Sequence, residues 1–245
     1  DLLPLRAVRL LQESPICLYA GTYIDDEVLS HCGPETELID TAYLNLDAIT
    51  ATLVAAHEAG HDVARLCSGD PSIYSAIAEQ TRRLDAAGVP WDLTPGVPAY
   101  AATAALIGRE LTVPEVAQSV VLTRAQKDST KMPPGETLAA FAATNATLVL
   151  HLAIRHTRRL ADELSAHYGA NCPVVVGSQV TQPEELILRG TLADIADQVE
   201  AAGLTQAAVI IVGWALSAEG FVESHLYSSR PPRPAGEGRP DASLV

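Results

Sequence analysis

The sequence predicts an α/β protein of two αβα domains, with a parallel sheet in the first domain and a mixed sheet in the second. Short apolar runs alternate with stretches whose apolar residues recur at helical spacing, as in chains that cover both faces of a sheet with helices. The run at residues 185–191 is expected to pair as an antiparallel strand, which makes the second sheet mixed. We expect the first domain to span residues 1–113, the second residues 114–228, and a disordered Pro-, Gly- and Arg-rich tail residues 229–245.

The first half of the chain alternates predicted helices and strands. Helices are expected over residues 2–11, 26–31, 46–59, 72–87 and 99–107, and strands over residues 16–20, 37–40, 63–67 and 90–94. Asn45 suits the N-cap of the third helix, and Gly60 suits the position just past its end. The helix at residues 99–107 is rich in alanine, so we expect it to pack closely on its neighbours.

The second half repeats the alternation after a connector at residues 111–115. Strands are expected over residues 119–124, 147–152, 173–180, 185–191 and 207–213, and helices over residues 136–143, 155–168 and 192–202. A polar loop with two prolines, at residues 125–135, is expected to be mobile.

Charge and composition exclude several classes of function. The 245-residue chain has a formal net charge of −14, which argues against a nucleic-acid partner, since such binding needs a concentrated basic face. No apolar run approaches the ~18 residues of a membrane-spanning helix, so no membrane partner is expected. The four cysteines form no CxxC pair, which favours a reduced, cytoplasmic location. An anionic small molecule remains compatible with a few local basic residues. Arg124, at a strand end, is the candidate, with solvated surface charge as the alternative.

A strand-to-helix turn at Cys67–Tyr74 (CSGDPSIY) is the strongest local candidate for a ligand site. In open α/β sheets, ligands bind outside the carboxyl ends of the strands. Gly69 permits close backbone approach, Asp70 can accept hydrogen bonds, and Pro71 suits the first turn of a following helix. The alternative is an ordinary turn, because these residue types are common in any turn.

A second pattern suggests a zinc hydrolase. His57, Glu58 and His61 fit HExxH, in which two histidines one helical turn apart bind zinc and the glutamate acts as base. Gly60 is a helix-ending residue, however, and would place His61 beyond the helix. We therefore expect no metal site here and treat these histidines as ordinary polar residues at a helix end.

Several motifs, in order along the chain, resemble the tetrapyrrole (corrin and porphyrin) methylases. Ser68–Tyr74 resembles the GDPxxY turn of that family, and Thr94–Val97 resembles its PGV turn. Other segments are most similar to the precorrin-4 C11-methyltransferase branch, which serves cobalamin biosynthesis. These are Leu18–Gly21 (LYAG), Leu111–Glu115 (LTVPE), Gln118–Ala125 (QSVVLTRA) and Gly213–Leu216 (GWAL).

The resemblance implies a cleft between the two domains, a homodimer, S-adenosylmethionine as methyl donor and a tetrapyrrole, precorrin-4, as substrate. It implies a donor site made of Ser68, Gly69, Asp70, Ile73, Pro98, Ala99, Leu152, Val180 and Ala215. Tyr19 and Arg124 are implied to face the macrocycle. A sister methylase that acts on another ring carbon or on a cobalt-containing substrate, and a protein that binds without turnover, remain alternatives.

Three departures from the family pattern affect these expectations. The family begins with a strand and a GxGPGD loop, whereas this chain starts at Asp1-Leu2-Leu3, so we expect the first sheet to lack its first strand. The segment after LTRA reads QKDSTKMP instead of a sequence near GRTPVP, which alters the lid over the substrate. Pro98 replaces a usual Ser or Thr, which removes one side-chain hydrogen bond.

Overall fold

The computed structural model describes residues 2–21, 23–125 and 131–223. The expectations for the loop centre at residues 126–130 and for the tail at residues 229–245 lie outside these residues. In the first half the elements are α1 (Leu5–Glu13), β1 (Ile16–Tyr19), α2 (Asp26–Leu29), β2 (Glu37–Asp40), α3 (Leu46–Glu58), β3 (Val63–Arg65), α4 (Ile77–Ala86) and α5 (Ala99–Ile107). In the second half they are β4 (Val120–Arg124), α6 (Leu138–Ala142), β5 (Thr147–His151), α7 (Thr157–Tyr168), β6 (Pro173–Ser178), β7 (Leu186–Thr191), α8 (Ile195–Ala201) and β8 (Ala208–Val212).

The first sheet is parallel, as predicted, with the strand order β2-β1-β3. The central strand β1 carries Cys17 and Leu18, both fully buried. Leu18 packs with Leu53 of α3 and Leu84 of α4 in the core of this half. Asn45 caps α3 as expected, because its side chain accepts a hydrogen bond from the N–H of Ala48 at 2.9 Å.

The second sheet is mixed, as predicted, with the strand order β4-β5-β8-β6-β7. Strands β4 and β5 are parallel, and the remaining neighbours are antiparallel. Because β8 runs against both β5 and β6, the carboxyl ends of β4, β5 and β6 lie at the same edge of the sheet. One face of the sheet packs against α7 and α8, with Leu148 and Leu150 on that side.

The other face of the second sheet is covered by α5. Ala104 and the half-buried Tyr100 and Ile107 of α5 pack with Val149 of β5 and Val175 of β6. The fit is tight, since a Cβ added at Gly177 of β6 would lie 2.8 Å from the methyl carbon of Thr103. The close packing expected of the alanine-rich helix is therefore confirmed, and its partner is the sheet of the second half. The domain division at residue 113 remains a prediction.

The helix expected over residues 72–87 begins later, at Ile77. Tyr74 and Ala76 have left-handed backbones, with φ of +54° and +57°. The Asp70 carboxylate accepts the N–H of Ser72 and so holds this segment in a turn. Pro71 therefore does not occupy the first turn of a helix, and the prediction for residues 72–76 was wrong.

The strand expected over residues 90–94 is also absent from the described chain. Segment 90–94 does not pair with β3, whose partner in the sheet is β1. Pro90 and Pro95 lack the N–H groups that a strand ladder needs, and proline disfavours a paired position. In the described part of the chain, no helix has the length and apolar character needed to cross a membrane.

Candidate functional site

The turn that follows β3 is organised around the carboxylate of Asp70. Its Oδ1 accepts hydrogen bonds from the N–H of Ser72, at 2.8 Å, and from the Ser72 hydroxyl. Its Oδ2 accepts a hydrogen bond from the N–H of Gly96 at 2.9 Å. These bonds, the Ser72 hydroxyl foremost, stabilise the charged form and hold the pKa of Asp70 below its ordinary value. One side chain thus joins the turn after β3 to the turn before α5.

The two turns also touch through their backbones. Gly69 has a φ of +71°, a conformation that favours glycine, and a Cβ there would lie 3.6 Å from the Cα of Pro98. A Cβ added to Gly96 would overlap the carbonyl oxygen of Gly69 and lie 3.0 Å from its carbonyl carbon. Close approach, rather than backbone conformation, therefore requires glycine at position 96.

Helix α5 begins directly at the second of these turns. Pro98 is its N-cap, with an extended backbone (φ −72°, ψ 152°), and Ala99 is its first helical residue. The N–H groups of a first helical turn lack intrahelical partners and carry partial positive charge. The structure thus brings together Gly69, Asp70, Pro98 and Ala99, four of the residues predicted to bind the methyl donor.

At the edge where β5 and β6 end, the backbone bends sharply. Leu152, just after β5, has a φ of +52° and a side chain that is 54% exposed. Gln179 and Thr181, on either side of Val180, have φ of +45° and +74°. Left-handed backbone at such residues costs on the order of 1–2 kcal/mol each, and strain of this kind concentrates at functional sites. Leu152 and Val180 therefore share one edge of the second sheet, as the predicted donor site requires.

The same edge carries two basic side chains on neighbouring strands. Arg124 of β4 and His151 of β5 are register partners. The guanidinium of Arg124 donates hydrogen bonds to the carbonyl oxygens of Ala125 and Lys131, each at 3.4 Å. Burial lowers the pKa of His151, so its ring is neutral at physiological pH.

An aromatic cluster links this edge to the first turn. The ring centroid of Tyr74 lies 5.4 Å from that of His151, and the centroid of Tyr100, on α5, lies 6.4 Å from it. Burial raises the pKa of Tyr74, while Arg124 lowers it and Glu136 raises it, so the phenol lies within electrostatic reach of both charges. The turn after β3 thus meets the ends of β4 and β5.

The remaining predicted residues occupy different places. Ser68 and Ile73 flank Asp70 in the first turn, and Tyr19 ends β1 at the carboxyl edge of the parallel sheet. Ala215 follows β8, which runs opposite to β5, and it is 1% exposed in a cluster with Val113. The structure therefore does not bring Ala215 together with Leu152 and Val180.

The zinc pattern does not form its required geometry. Helix α3 ends at Glu58, and Gly60 has a φ of +78°. His61 consequently lies outside the helix that carries His57, and the two imidazoles are not presented one helical turn apart. Among the described residues, no three His, Cys, Asp or Glu side chains group as metal ligands.

Sequence comparison identifies the protein family. The family model of Tetrapyrrole (Corrin/Porphyrin) Methylases matches residues 1–196. The chain belongs to this family. It is 54% identical over 229 residues to a precorrin-4 C(11)-methyltransferase of Rhodococcus erythropolis, covering 94% of this chain and 92% of the relative. It is 34% identical to a cobalt-precorrin-4 C(11)-methyltransferase of Methanocaldococcus jannaschii, covering 93% and 88% of the two chains.

Solved structures of related tetrapyrrole methylases share the fold. A cobalt precorrin-4 methyltransferase superposes with a TM-score of 0.85 at 33% identity, covering 89% of this chain and 91% of the other. Uroporphyrin-III C-methyl transferase from Thermus thermophilus, in complex with S-adenosyl homocysteine, superposes with a TM-score of 0.71 at 25% identity, covering 88% of each chain. The two-sheet architecture is thus that of S-adenosylmethionine-dependent methyltransferases.

Sequence reasoning missed the cluster of Tyr74, Tyr100 and His151. Part of the signal was present, because His151 lies within the strand predicted at residues 147–152 and shares a face with Val149 by strand alternation. Thr94 begins the segment that resembles the PGV turn, and sequence reasoning did not predict it as a site residue. Its hydroxyl is buried and has no hydrogen-bond partner among the described residues.

Proposed function

We propose that this chain transfers a methyl group from S-adenosylmethionine to C11 of precorrin-4, giving precorrin-5 in cobalamin biosynthesis. The observation that carries the proposal is the 54% identity to a precorrin-4 C(11)-methyltransferase over nearly the whole of both chains. The joined turns at Gly69–Asp70 and Gly96–Ala99 support it, because a hydrogen bond and close backbone contact hold them together just beyond β3, where open α/β sheets bind ligands.

The methyl donor is proposed to lie against these turns and the ends of β5 and β6. The proposed contacts are Ser68, Gly69, Asp70, Ile73, Pro98, Ala99, Leu152 and Val180. Two observations suit a polar cofactor with an adenosine and an amino-acid end. The buried hydroxyl of Thr94 has no partner among the described residues, and α5 begins at this turn without a side-chain hydrogen bond from its N-cap residue, Pro98. Ala215 is not included, since it follows β8 at the opposite edge.

The chemistry asks little of side chains beyond positioning. The bound donor supplies an electrophilic sulfonium methyl, and the reduced macrocycle supplies a nucleophilic ring carbon. Holding carbon, methyl and sulfur in line removes much of the barrier, since well-oriented intramolecular reactions gain on the order of 7–11 kcal/mol. The joined turns would hold the methyl donor on one side, and the sheet edge at Leu152 would contact it on the other.

The substrate is proposed to lie beside Tyr19 and Arg124. Precorrins carry several carboxylates, and charge-assisted bonds from arginine bind carboxylates strongly. In a chain of net charge −14, a basic group at the cleft contrasts with the acidic remainder and would orient an anionic substrate. Lys131, whose carbonyl oxygen accepts a bond from Arg124, places a second basic residue in the same segment.

We further propose that the protein works as a cytoplasmic homodimer without a bound metal. All four cysteines are free, which suits a reducing compartment. Tyr43 is 99% exposed and Leu44 38% exposed, as expected of residues that a second copy covers. Sedimentation analysis should give a species of twice 25.8 kDa.

The main alternative substrate is the cobalt-containing form of precorrin-4. This alternative is supported by the similarity of the chain, in sequence and structure, to cobalt-precorrin-4 methyltransferases. The deciding experiment incubates the protein with methyl-labelled S-adenosylmethionine and either precorrin-4 or its cobalt complex, followed by NMR of the product. Label at C11 of the metal-free product supports the proposal, whereas label at another carbon, or turnover of the cobalt form alone, contradicts it.

A further inference from the structure

The side chain of His151 lies at the meeting point of the two halves. It projects from the end of β5 on the face that α5 covers, the face that also carries Val149. Its ring centroid is 5.4 Å from that of Tyr74 and 6.4 Å from that of Tyr100. Tilted and edge-to-face ring pairs at such distances are the favourable aromatic geometries. The ring therefore holds one aromatic side chain from the first turn and one from α5.

The contact is made through the ring and not through hydrogen bonding by Nε2. That nitrogen is buried and has no hydrogen-bond partner in the part of the chain that the structure describes. Burial lowers the pKa of His151, in keeping with a neutral ring. What His151 gives this arrangement is a flat, uncharged surface.

Tyr74 needs such support because its own backbone is strained. It and Ala76 both have left-handed φ, and a non-glycine residue rarely adopts this conformation without surrounding contacts that hold it. The Tyr74 side chain is nevertheless 46% exposed and lies within electrostatic reach of Arg124 and Glu136. A strained, half-exposed aromatic residue beside a basic group can pack on the face of an anionic macrocycle.

We propose that His151 is a positioning residue of the tetrapyrrole site, whose ring fixes Tyr74 where it packs against the bound macrocycle. The inference rests on the proposed function for the identity of the ligand. The fixing of Tyr74 by the His151 ring is independent of that identity. Tyr74 is then the residue that touches substrate, and His151 acts through it.

The test compares His151→Ala, which removes the ring, with His151→Phe, which keeps a ring and removes the nitrogens. His151→Gln keeps a polar side chain of similar length without a ring and serves if the alanine variant does not fold. His167→Ala, at the exposed end of α7, is the matched control. The first measurement is hydrogen exchange of the peptide covering residues 69–76 in the unliganded protein. The second is the KM and kcat for precorrin-4.

We expect loss of the ring in the alanine and glutamine variants to speed exchange in residues 69–76 by about three- to tenfold, the range that one aromatic pair supports. The KM for precorrin-4 should rise by a similar factor with a smaller change in kcat. His151→Phe and His167→Ala should match the wild type in both measurements.

Two results would overturn the inference. One is unchanged exchange and KM after loss of the ring. The other is a phenylalanine variant as impaired as the alanine variant, which would assign the role to a ring nitrogen. If the wild type does not methylate precorrin-4, the proposed function fails, and exchange alone decides whether His151 fixes Tyr74.

Discussion

Replacing Gly96 by alanine should disrupt the joined turns while leaving both sheets intact. The added Cβ overlaps the carbonyl oxygen of Gly69 and lies 3.0 Å from its carbonyl carbon and 3.5 Å from the Cα of Asp70. These atoms are backbone, so the clash cannot be relieved by a side-chain rotation. One turn must move, and the bond from the Gly96 N–H to Asp70 Oδ2 stretches or breaks with it.

The expected cost follows from this clash. Forcing an extra methyl group into a packed site typically costs about 1–3 kcal/mol. For a chain of this length, 1 kcal/mol lowers the Tm by about 2–4 °C, so a decrease of about 2–12 °C is expected. Because the proposed donor site is built on these turns, the Kd for S-adenosylhomocysteine should rise by at least tenfold, equivalent to about 1.4 kcal/mol.

Calorimetry measures both quantities, by thermal unfolding and by titration with S-adenosylhomocysteine. Gly135→Ala is the matched control, because a Cβ at Gly135 would meet nothing within 4 Å and its backbone is not left-handed. Wild-type Tm and affinity in the Gly96→Ala variant would refute the reasoning that close contact between the turns matters. Reduced Tm with unchanged affinity would refute the placement of the donor.

Three further predictions follow from described contacts. The pKa of Asp70 is lowered in the folded protein, so its carboxylate stabilises the fold above about pH 4 and loses that effect as the pH falls through the folded pKa. In urea unfolding, the difference in stability between the wild type and Asp70→Asn should therefore shrink below about pH 4. Arg124→Ala should raise the KM for precorrin-4 by about tenfold in steady-state assays, because one charge-assisted hydrogen bond to the substrate is lost, while the Kd for S-adenosylhomocysteine stays unchanged. An unchanged KM would remove Arg124 from the substrate site. Tyr168→Phe should lower the free energy of unfolding by about 1–3 kcal/mol in urea, because the buried phenol donates a 2.6 Å hydrogen bond to the Ala146 carbonyl oxygen, and activity per folded molecule should be unaffected.

Apolar patterning was sufficient to predict the second sheet. Its central strands are buried on both faces, as at Val174–Val176 and Val209–Val212, and short continuous apolar runs of this kind are typical of buried strands. Capping residues predicted the ends of α3 correctly, because Asn45 and Gly60 act on the backbone of their immediate neighbours.

Periodicity failed where local hydrogen bonds compete with it. Ile73, Ile77 and Leu84 fit one helix face, but the Asp70 carboxylate takes the N–H of Ser72 and the helix starts only at Ile77. Residues 90–94 do not form the predicted strand, because Pro90 and the flanking Pro95 lack the N–H groups that a strand ladder needs.

The candidate site was predictable in its turns but not in its cross-contacts. Gly69, Asp70 and Pro98 belong to short motifs whose chemistry is local. The meeting of Tyr74 with His151 depends on how α5 places the first turn against the second sheet, and no local pattern encodes it. Ala215 was placed wrongly because apolar periodicity does not report strand direction. Strand β8 runs antiparallel to β5, so the residue that follows it lies at the opposite edge of the sheet.

The placement of α5 limits how this chain can be divided or recombined. Expressing residues 1–113 alone would leave Tyr100 and Ile107 facing water and would strip the cover from Val149 in the other fragment. A cut before residue 95 would keep α5 on the second sheet, but it would separate the N–H of Gly96 from the Asp70 carboxylate that accepts its hydrogen bond. A chimera that borrows the second half from a relative must therefore bring residues 95–107 with it, and its new first half must present a matching glycine and aspartate.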